Sequence, residues 1–394
     1  MTLTQALRVA ALQGDEAVAE AVRQCDVDVV AAYPITPQTI IVEKLAEYVA
    51  DGRFRGEFVP VESEHSALSA CVGAAATGAR VFTATSSQGL AYMHEMLYNA
   101  SGMRLPIVMA VANRALSAPL VLNADHGDMM GSRDSGWIQV YAENVEEIYD
   151  RTIQLFKLSE DQRVMLPSAI NFEGFILSHD KERVRLLDDE PVRRFLGRPK
   201  PKHKIDPDAP LTFGAIATPD TYYEFRVQQT EAMKNALHVF DEVEMEFESF
   251  GGRRYGAVDA YNTDRADVVM VINGSAAGTM RAAARSLNAS GENVGVLAIK
   301  LYRPFPMEQV VSHLAQAKAV VAMDRSLSPG APSGPISEDV KSAMQLAGLS
   351  KPTMSVVYGI GGRDLSMDDG KNIFGMAKEG STLGASAVMY GVKV

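Results

Sequence analysis

Three short polar stretches of this chain could do chemistry together. Tyr33-Pro34-Ile35-Thr36-Pro37 presents a hydroxyl, Thr36, on a loop whose prolines fix φ and remove donors. Thr85-Ser86-Ser87-Gln88-Gly89 offers hydroxyls and an amide, and Asn113-Arg114-Ala115-Leu116-Ser117 offers a guanidinium. The planar fork of an arginine matches a carboxylate through two parallel hydrogen bonds. A fourth group, Glu64, opens a run of small residues that continues to Gly78. Such side chains let either a flat ligand or another helix come close. A carboxyl beside that surface is partly desolvated and suited to sharing a proton. The alternatives stay open: a carboxylate at a helix start is favoured by the macrodipole alone, and Arg114 could pair with Asp125, Asp128 or Asp134.

The elements that must position these groups read as strands. Val27-Asp28-Val29-Val30-Ala31-Ala32 precedes the proline loop, Ala79-Arg80-Val81-Phe82-Thr83-Ala84 the second loop, and Leu105-Pro106-Ile107-Val108-Met109-Ala110-Val111-Ala112 the third. If the three lie in one parallel sheet, their loops converge on its carboxyl edge, where ligands of open α/β sheets sit. Helices are expected over 14–24, 40–49 and 90–100, and further strands over 58–61 and 164–170. His65 and His94 lack metal-ligand spacing and read as structural, and Trp137 reads as packing.

At 394 residues the chain is too long for one core. An α/β domain is expected over 1–195, an extended linker and long helix over 196–262, and a second α/β domain over 263–394. The linker Arg198-Pro199-Lys200-Pro201-Lys202-His203-Lys204 cannot propagate a helix; it is either a solvated arm or a docking arm. The turn at 273–278 reads as a tight strand-to-helix connection and not a nucleotide site, and 359–362 as a flexible loop. A formal charge of −11 argues against nucleic acid as a partner. No apolar run is long enough to span a bilayer, no secretion signal opens the chain, and a cytoplasmic location is expected. The two cysteines, Cys25 and Cys71, form no Cys-x-x-Cys pair, so no iron–sulfur cluster is expected on this chain.

Together, the stretches 33–39, 61–67, 82–90, 101–106 and 133–137, with Tyr302-Arg303-Pro304-Phe305-Pro306 and Gly359-Ile360-Gly361-Gly362-Arg363-Asp364, resemble the α subunit of 2-oxoacid:ferredoxin (acceptor) oxidoreductases. The resemblance covers essentially the whole chain. It implies an α/β fold in which a pyrimidine-type thiamine diphosphate-binding domain precedes a transketolase C-terminal-like domain. It also implies CoA-acylating oxidative decarboxylation of a 2-oxoacid to acyl-CoA and CO2, with 4Fe-4S clusters on other subunits. Glu64 would meet the cofactor's aminopyrimidine ring, with Ser87 and Gln88 beside the cofactor, and Thr36 and Arg114 would hold the substrate. The family's diphosphate and Mg²⁺ sit on a Gly-Asp-Gly motif that this chain lacks, so a β subunit must complete the site. The γ and δ subunits, and ferredoxin or an NAD-linked subunit, would take the electrons. Pyruvate-type members carry Ile-Trp-Asn where this chain has Leu122-Asn123-Ala124. Smaller side chains at Asn123 and Ala124, read as lining the substrate pocket, imply a 2-oxoacid larger than pyruvate, such as phenylglyoxylate. Pyruvate itself is the alternative, and a non-catalytic scaffold subunit a further one.

Overall fold

The computed structural model describes residues 8–380, 384 and 386–393; residues 1–7, read for a secretion signal, lie outside them. The first sheet has seven strands in the order Leu301–Arg303, Ile138–Tyr141, Ser168–Glu173, Ile107–Asn113, Val81–Thr85, Val29–Ala32, Glu57–Pro60. All pair in parallel except Leu301–Arg303 at one edge. Every residue of the three central strands Ser168–Glu173, Ile107–Asn113 and Val81–Thr85 is buried, as a parallel sheet covered on both faces requires. Thr85 pairs with Val111 and Asn113 with Glu173, so the loops that follow leave from one edge of the sheet. That common edge is the convergence expected from the three strand–loop units.

Each face has its own core. On one, the helices Gly14–Gln24 and Val145–Glu160 pack together, and Val239 and Phe240 of the long helix Pro219–Ser249 close over them. On the other, Leu68 and Cys71 of the small-residue helix Glu64–Ala76 pack with Leu97 and Trp137. Trp137 is fully buried and its Nε1 donates to the Leu97 carbonyl at 2.9 Å, a packing role. The helix expected over 90–100 is instead two, Ser87–Tyr92 and His94–Gly102, broken at the buried Met93. The basic linker lies along its own chain. Arg198 pairs with Asp26 at 2.9 Å, Ile205 N–H donates to the Ala76 carbonyl at 2.7 Å, and Pro201 Cγ sits 3.1 Å from where a side chain on Gly78 would begin.

The second sheet has six strands, ordered Val388–Met389, Thr353–Val357, Ala319–Asp324, Val268–Ile272, Val294–Ile299, Val258–Tyr261. Its edge strand Val258–Tyr261 comes from the segment read as linker and helix, while Leu301–Arg303 crosses back to the first sheet. Buried ions staple the join: Lys300 Nζ reaches Glu143 at 2.8 Å and Glu147 at 2.7 Å. Residues 359–362 are not a loose loop. Ile360–Gly362 forms a 3-10 turn, and the Gly361 N–H donates to Asp125 Oδ2 at 3.2 Å. No helix among the described residues is long and apolar enough to cross a membrane.

Candidate active site

The proline loop is pinned by the residue that ends it. Gln38, fully buried, donates from Nε2 to the Tyr33 carbonyl at 2.8 Å and to the Ala84 carbonyl at 3.4 Å. This ties the end of Val29–Ala32 to the end of Val81–Thr85 and leaves Thr36 exposed. Behind it, a side chain on Gly174 would begin 2.4 Å from Pro37 Cγ, so only glycine lets the next loop close on the prolines.

Arg114 reaches this loop. Its Nη1 donates to the Thr36 carbonyl at 2.9 Å and its Nε to the Val121 carbonyl at 3.1 Å. None of the three aspartates considered as ion-pair partners binds the guanidinium among the described residues. Asp134 faces Arg133, Asp125 accepts the Gly127 and Gly361 N–H groups, and from Arg114 Asp128 takes the backbone N–H, at 3.0 Å, and not the guanidinium. Arg114 is 6 % exposed, and burial lowers its pKa, with Asp128 partly opposing that. A guanidinium remains charged at any working pH. A desolvated cation whose partners are only two carbonyls attracts an anionic group with fork geometry, which describes a carboxylate.

Glu64 stands at the start of its helix, where Ser63 Oγ caps the Ser66 N–H at 3.2 Å. It is 8 % exposed and its carboxyl lies over Gly89 of the second loop. A methyl group on Gly89 would stand 2.7 Å from Glu64 Oε1 and 2.5 Å from Thr85 Oγ1. The buried Thr85 hydroxyl and Gln88 Nε2 have no hydrogen-bond partner among the described residues. Buried polar groups are normally satisfied, so a carboxyl, a hydroxyl and an amide around one small residue form a cradle for a polar, flat ring. Ser87, expected beside the cofactor, has its Oγ 2.6 Å from the Ala115 carbonyl and 2.7 Å from Gln88 Oε1. It bridges two loops of the site.

Sequence reasoning named the residue that organises this edge only as a possible ion-pair partner of Arg114. Asp128, 4 % exposed, accepts the Ser87 N–H and the Arg114 N–H on Oδ2, each at 3.0 Å. On Oδ1 it accepts Asn113 Nδ2 and the Met129 N–H, both at 2.8 Å. Burial raises its pKa, and these donors oppose the rise. One carboxylate therefore fixes the Ser87–Gly89 and Arg114 loops relative to each other. The signal for it was its place in Asp125-His126-Gly127-Asp128, just past the third loop. Asn123 and Ala124, expected at the substrate, lie on the segment that leads away from Arg114, with Asn123 exposed. Ala124 is buried, and Asn123 Cβ packs 2.2 Å from where a side chain on Gly362 would begin. His65 lies near Glu95 and His94 near Ser132, and the described residues hold no group of three metal-ligating side chains.

Comparison with known proteins agrees with this geometry. Residues 20–245 match the family described as pyruvate flavodoxin/ferredoxin oxidoreductase, thiamine diphosphate-binding, and residues 266–369 match pyruvate:ferredoxin oxidoreductase core domain II. Pyruvate synthase subunit PorA of Methanocaldococcus jannaschii is 49 % identical over 381 residues, covering 95 % of this chain and 97 % of that protein. Ketoisovalerate oxidoreductase subunit VorA of Pyrococcus abyssi is 43 % identical over 364 residues, covering 92 % and 91 %. Among solved structures, 2-oxoglutarate:ferredoxin oxidoreductase from Magnetococcus marinus, with 2-oxoglutarate, coenzyme A and succinyl-CoA bound, superposes with a TM-score of 0.70 at 19 % identity. That match covers 94 % of this chain, which spans 65 % of the other. A split-gene transketolase in an inactive tetramer superposes at 0.53 with 13 % identity, covering 93 % and 98 %. At such identities the likeness shows the α/β fold alone, and the thiamine diphosphate-binding description rests on the family match over residues 20–245.

Proposed function

Because this chain belongs to the 2-oxoacid:ferredoxin oxidoreductases as their α subunit, we propose that it is the α subunit of a pyruvate synthase, decarboxylating pyruvate oxidatively to acetyl-CoA. The observation that supports it is the pairing, on one sheet edge, of a desolvated Arg114 with the carboxyl cradle at Glu64. The expected preference for a larger, aryl substrate finds no support. Relatives 49 % identical are named for pyruvate.

Thiamine diphosphate fits the cradle: the carboxyl of Glu64, the unpartnered Thr85 hydroxyl and the Gln88 amide suit its aminopyrimidine edge. When bound, it supplies the nucleophilic carbon and the electron sink for decarboxylation. Glu64 would meet the pyrimidine edge with its carboxyl and pass a proton to or from a ring nitrogen there. Arg114 grips the 2-oxoacid carboxylate by its fork and sets the angle at which CO2 departs, an orientation effect. Thr36, exposed beside Arg114, offers its hydroxyl to the substrate's oxo oxygen. A β subunit carries the diphosphate and Mg²⁺, γ and δ subunits carry the 4Fe-4S clusters, coenzyme A takes the acetyl group, and ferredoxin takes the electrons.

The test is CoA-dependent acceptor reduction by the complex assembled with its partner subunits, comparing pyruvate, 2-oxoisovalerate and phenylglyoxylate. Pyruvate is expected to give the highest kcat/KM. Arg114→Ala should lower it by roughly 100-fold, chiefly through KM, by removing a charge-assisted contact. A clear preference for phenylglyoxylate, or an unaffected Arg114→Ala, overturns the reading.

A further inference from the structure

The second domain grips the segment that leads away from Arg114. Val121 Cγ1 lies 3.7 Å from where a side chain on Gly361 would begin, and Asn123 Cβ lies 2.2 Å from the same position on Gly362. Asp125 Oδ2 accepts the Gly361 N–H at 3.2 Å, and the His126 N–H donates to the Arg325 carbonyl at 2.8 Å. Alternate residues 121, 123 and 125 thus meet one glycine turn. Gly361 and Gly362 both have positive φ, 63° and 83°, so the turn needs glycine for its backbone as well as for space. Two paths run from it to the guanidinium. Val121, against Gly361, gives its carbonyl to Arg114 Nε at 3.1 Å. Asn123, against Gly362, gives its carbonyl to the N–H of Ala115, the next residue after Arg114, at 3.2 Å.

We propose that the 359–362 turn of the second domain is a positioning element for Arg114, and that Gly362 is a residue through which substrate preference is set. The inference rests on the reading of Arg114 as the holder of the 2-oxoacid carboxylate. A side chain at Gly362 must push Asn123, and with it the carbonyls that aim the guanidinium. A contact at 2.2 Å leaves no room for a methyl group. The three atoms nearest to a side chain on Gly362 all belong to Asn123, so its effect falls on the segment that aims Arg114 and hence on the carboxylate end of the substrate.

The experiment uses the complex assembled with its partner subunits. Gly362→Ala is compared with Gly291→Ala, a glycine of equally positive φ, 92°, with nothing within 4 Å of the added carbon. Gly362→Ala should raise KM for pyruvate roughly tenfold or more while kcat falls less, since misplacement by about 1 Å costs up to about 100-fold. The pyruvate-to-2-oxoisovalerate ratio of kcat/KM should shift, thiamine diphosphate affinity should hold, and Gly291→Ala should change none of these. Adding Asn123→Gly to Gly362→Ala removes the colliding carbon, leaves only the strain of a positive φ, and should bring KM back toward the wild-type value. Should Gly362→Ala fail to fold, Asp125→Asn weakens the same brace and is expected to raise KM likewise. Wild-type turnover with KM unaltered in these variants overturns this inference alone, whereas no turnover of any 2-oxoacid by the wild type overturns the functional reading as well.

Discussion

At the scale of single residues, Asp128 does most to make a site out of separate loops. Both of its oxygens are fully used, each accepting two donors. Asp128→Asn therefore replaces an acceptor with an amide that faces N–H groups. The cost of such a mismatch in a buried place is about 1–3 kcal/mol. We expect chemical denaturation to show a loss of that size and kcat/KM to fall, because Ser87 and Arg114 lose their common anchor. An asparagine variant with unchanged unfolding midpoint and kcat/KM would show that the loops hold their places without it.

At the scale of elements, the helix Glu64–Ala76 and the short helix Ser87–Tyr92 meet at Gly89. A methyl group there meets Thr85 Oγ1 at 2.5 Å and Glu64 Oε1 and Cγ at 2.7 and 2.9 Å, so the Glu64 side chain must shift from its stem. Gly89→Ala should therefore cost about 1–3 kcal/mol of stability, while moving the carboxyl off the cofactor cradle. Thiamine diphosphate affinity of the assembled complex, measured by calorimetry, is expected to drop well beyond tenfold. Tight binding retained alongside an intact fold would remove Glu64 from its assigned place. The strands and most helices were legible in the residues, because apolar runs ended by Pro, Gly and Ser mark parallel strands locally. The break at Met93 was not legible, since residues 90–100 contain no helix breaker.

At the scale of the whole molecule, Glu173 joins the domains. It ends a central strand of the first sheet, meets His126 Nε2 at 3.1 Å, and accepts the Ser275 N–H of the second domain at 3.0 Å. Burial alone would raise its pKa, but the His126 ring and the Arg325 guanidinium override it and hold the carboxyl at about 2. Its folded pKa lies below the ordinary 4.5, so its contribution is complete above pH 4.5 and is lost as pH falls toward about 2. The difference corresponds to about 3 kcal/mol. Glu173→Gln should be less stable at neutral pH and show a flatter decline of Tm across that acid window. Parallel Tm profiles for variant and wild type would show that the join does not depend on this charge.

The sequence by itself determined the strand–loop units, the α/β class and the candidates Thr36, Glu64 and Arg114, because each is set by neighbours within a few positions. It could name Asp128 beside Arg114 but not say that the carboxylate takes the backbone N–H and leaves the guanidinium free. It placed Asn123 in the loop that leads away from Arg114 but not against Gly362. The Asp128 partners come from as far as Ser87, and the approach of Gly362 to Asn123 is settled only when the two sheets pack. Local propensity fixes what a segment becomes, whereas the partner a polar side chain chooses is decided by which donors and acceptors folding brings within hydrogen-bond reach.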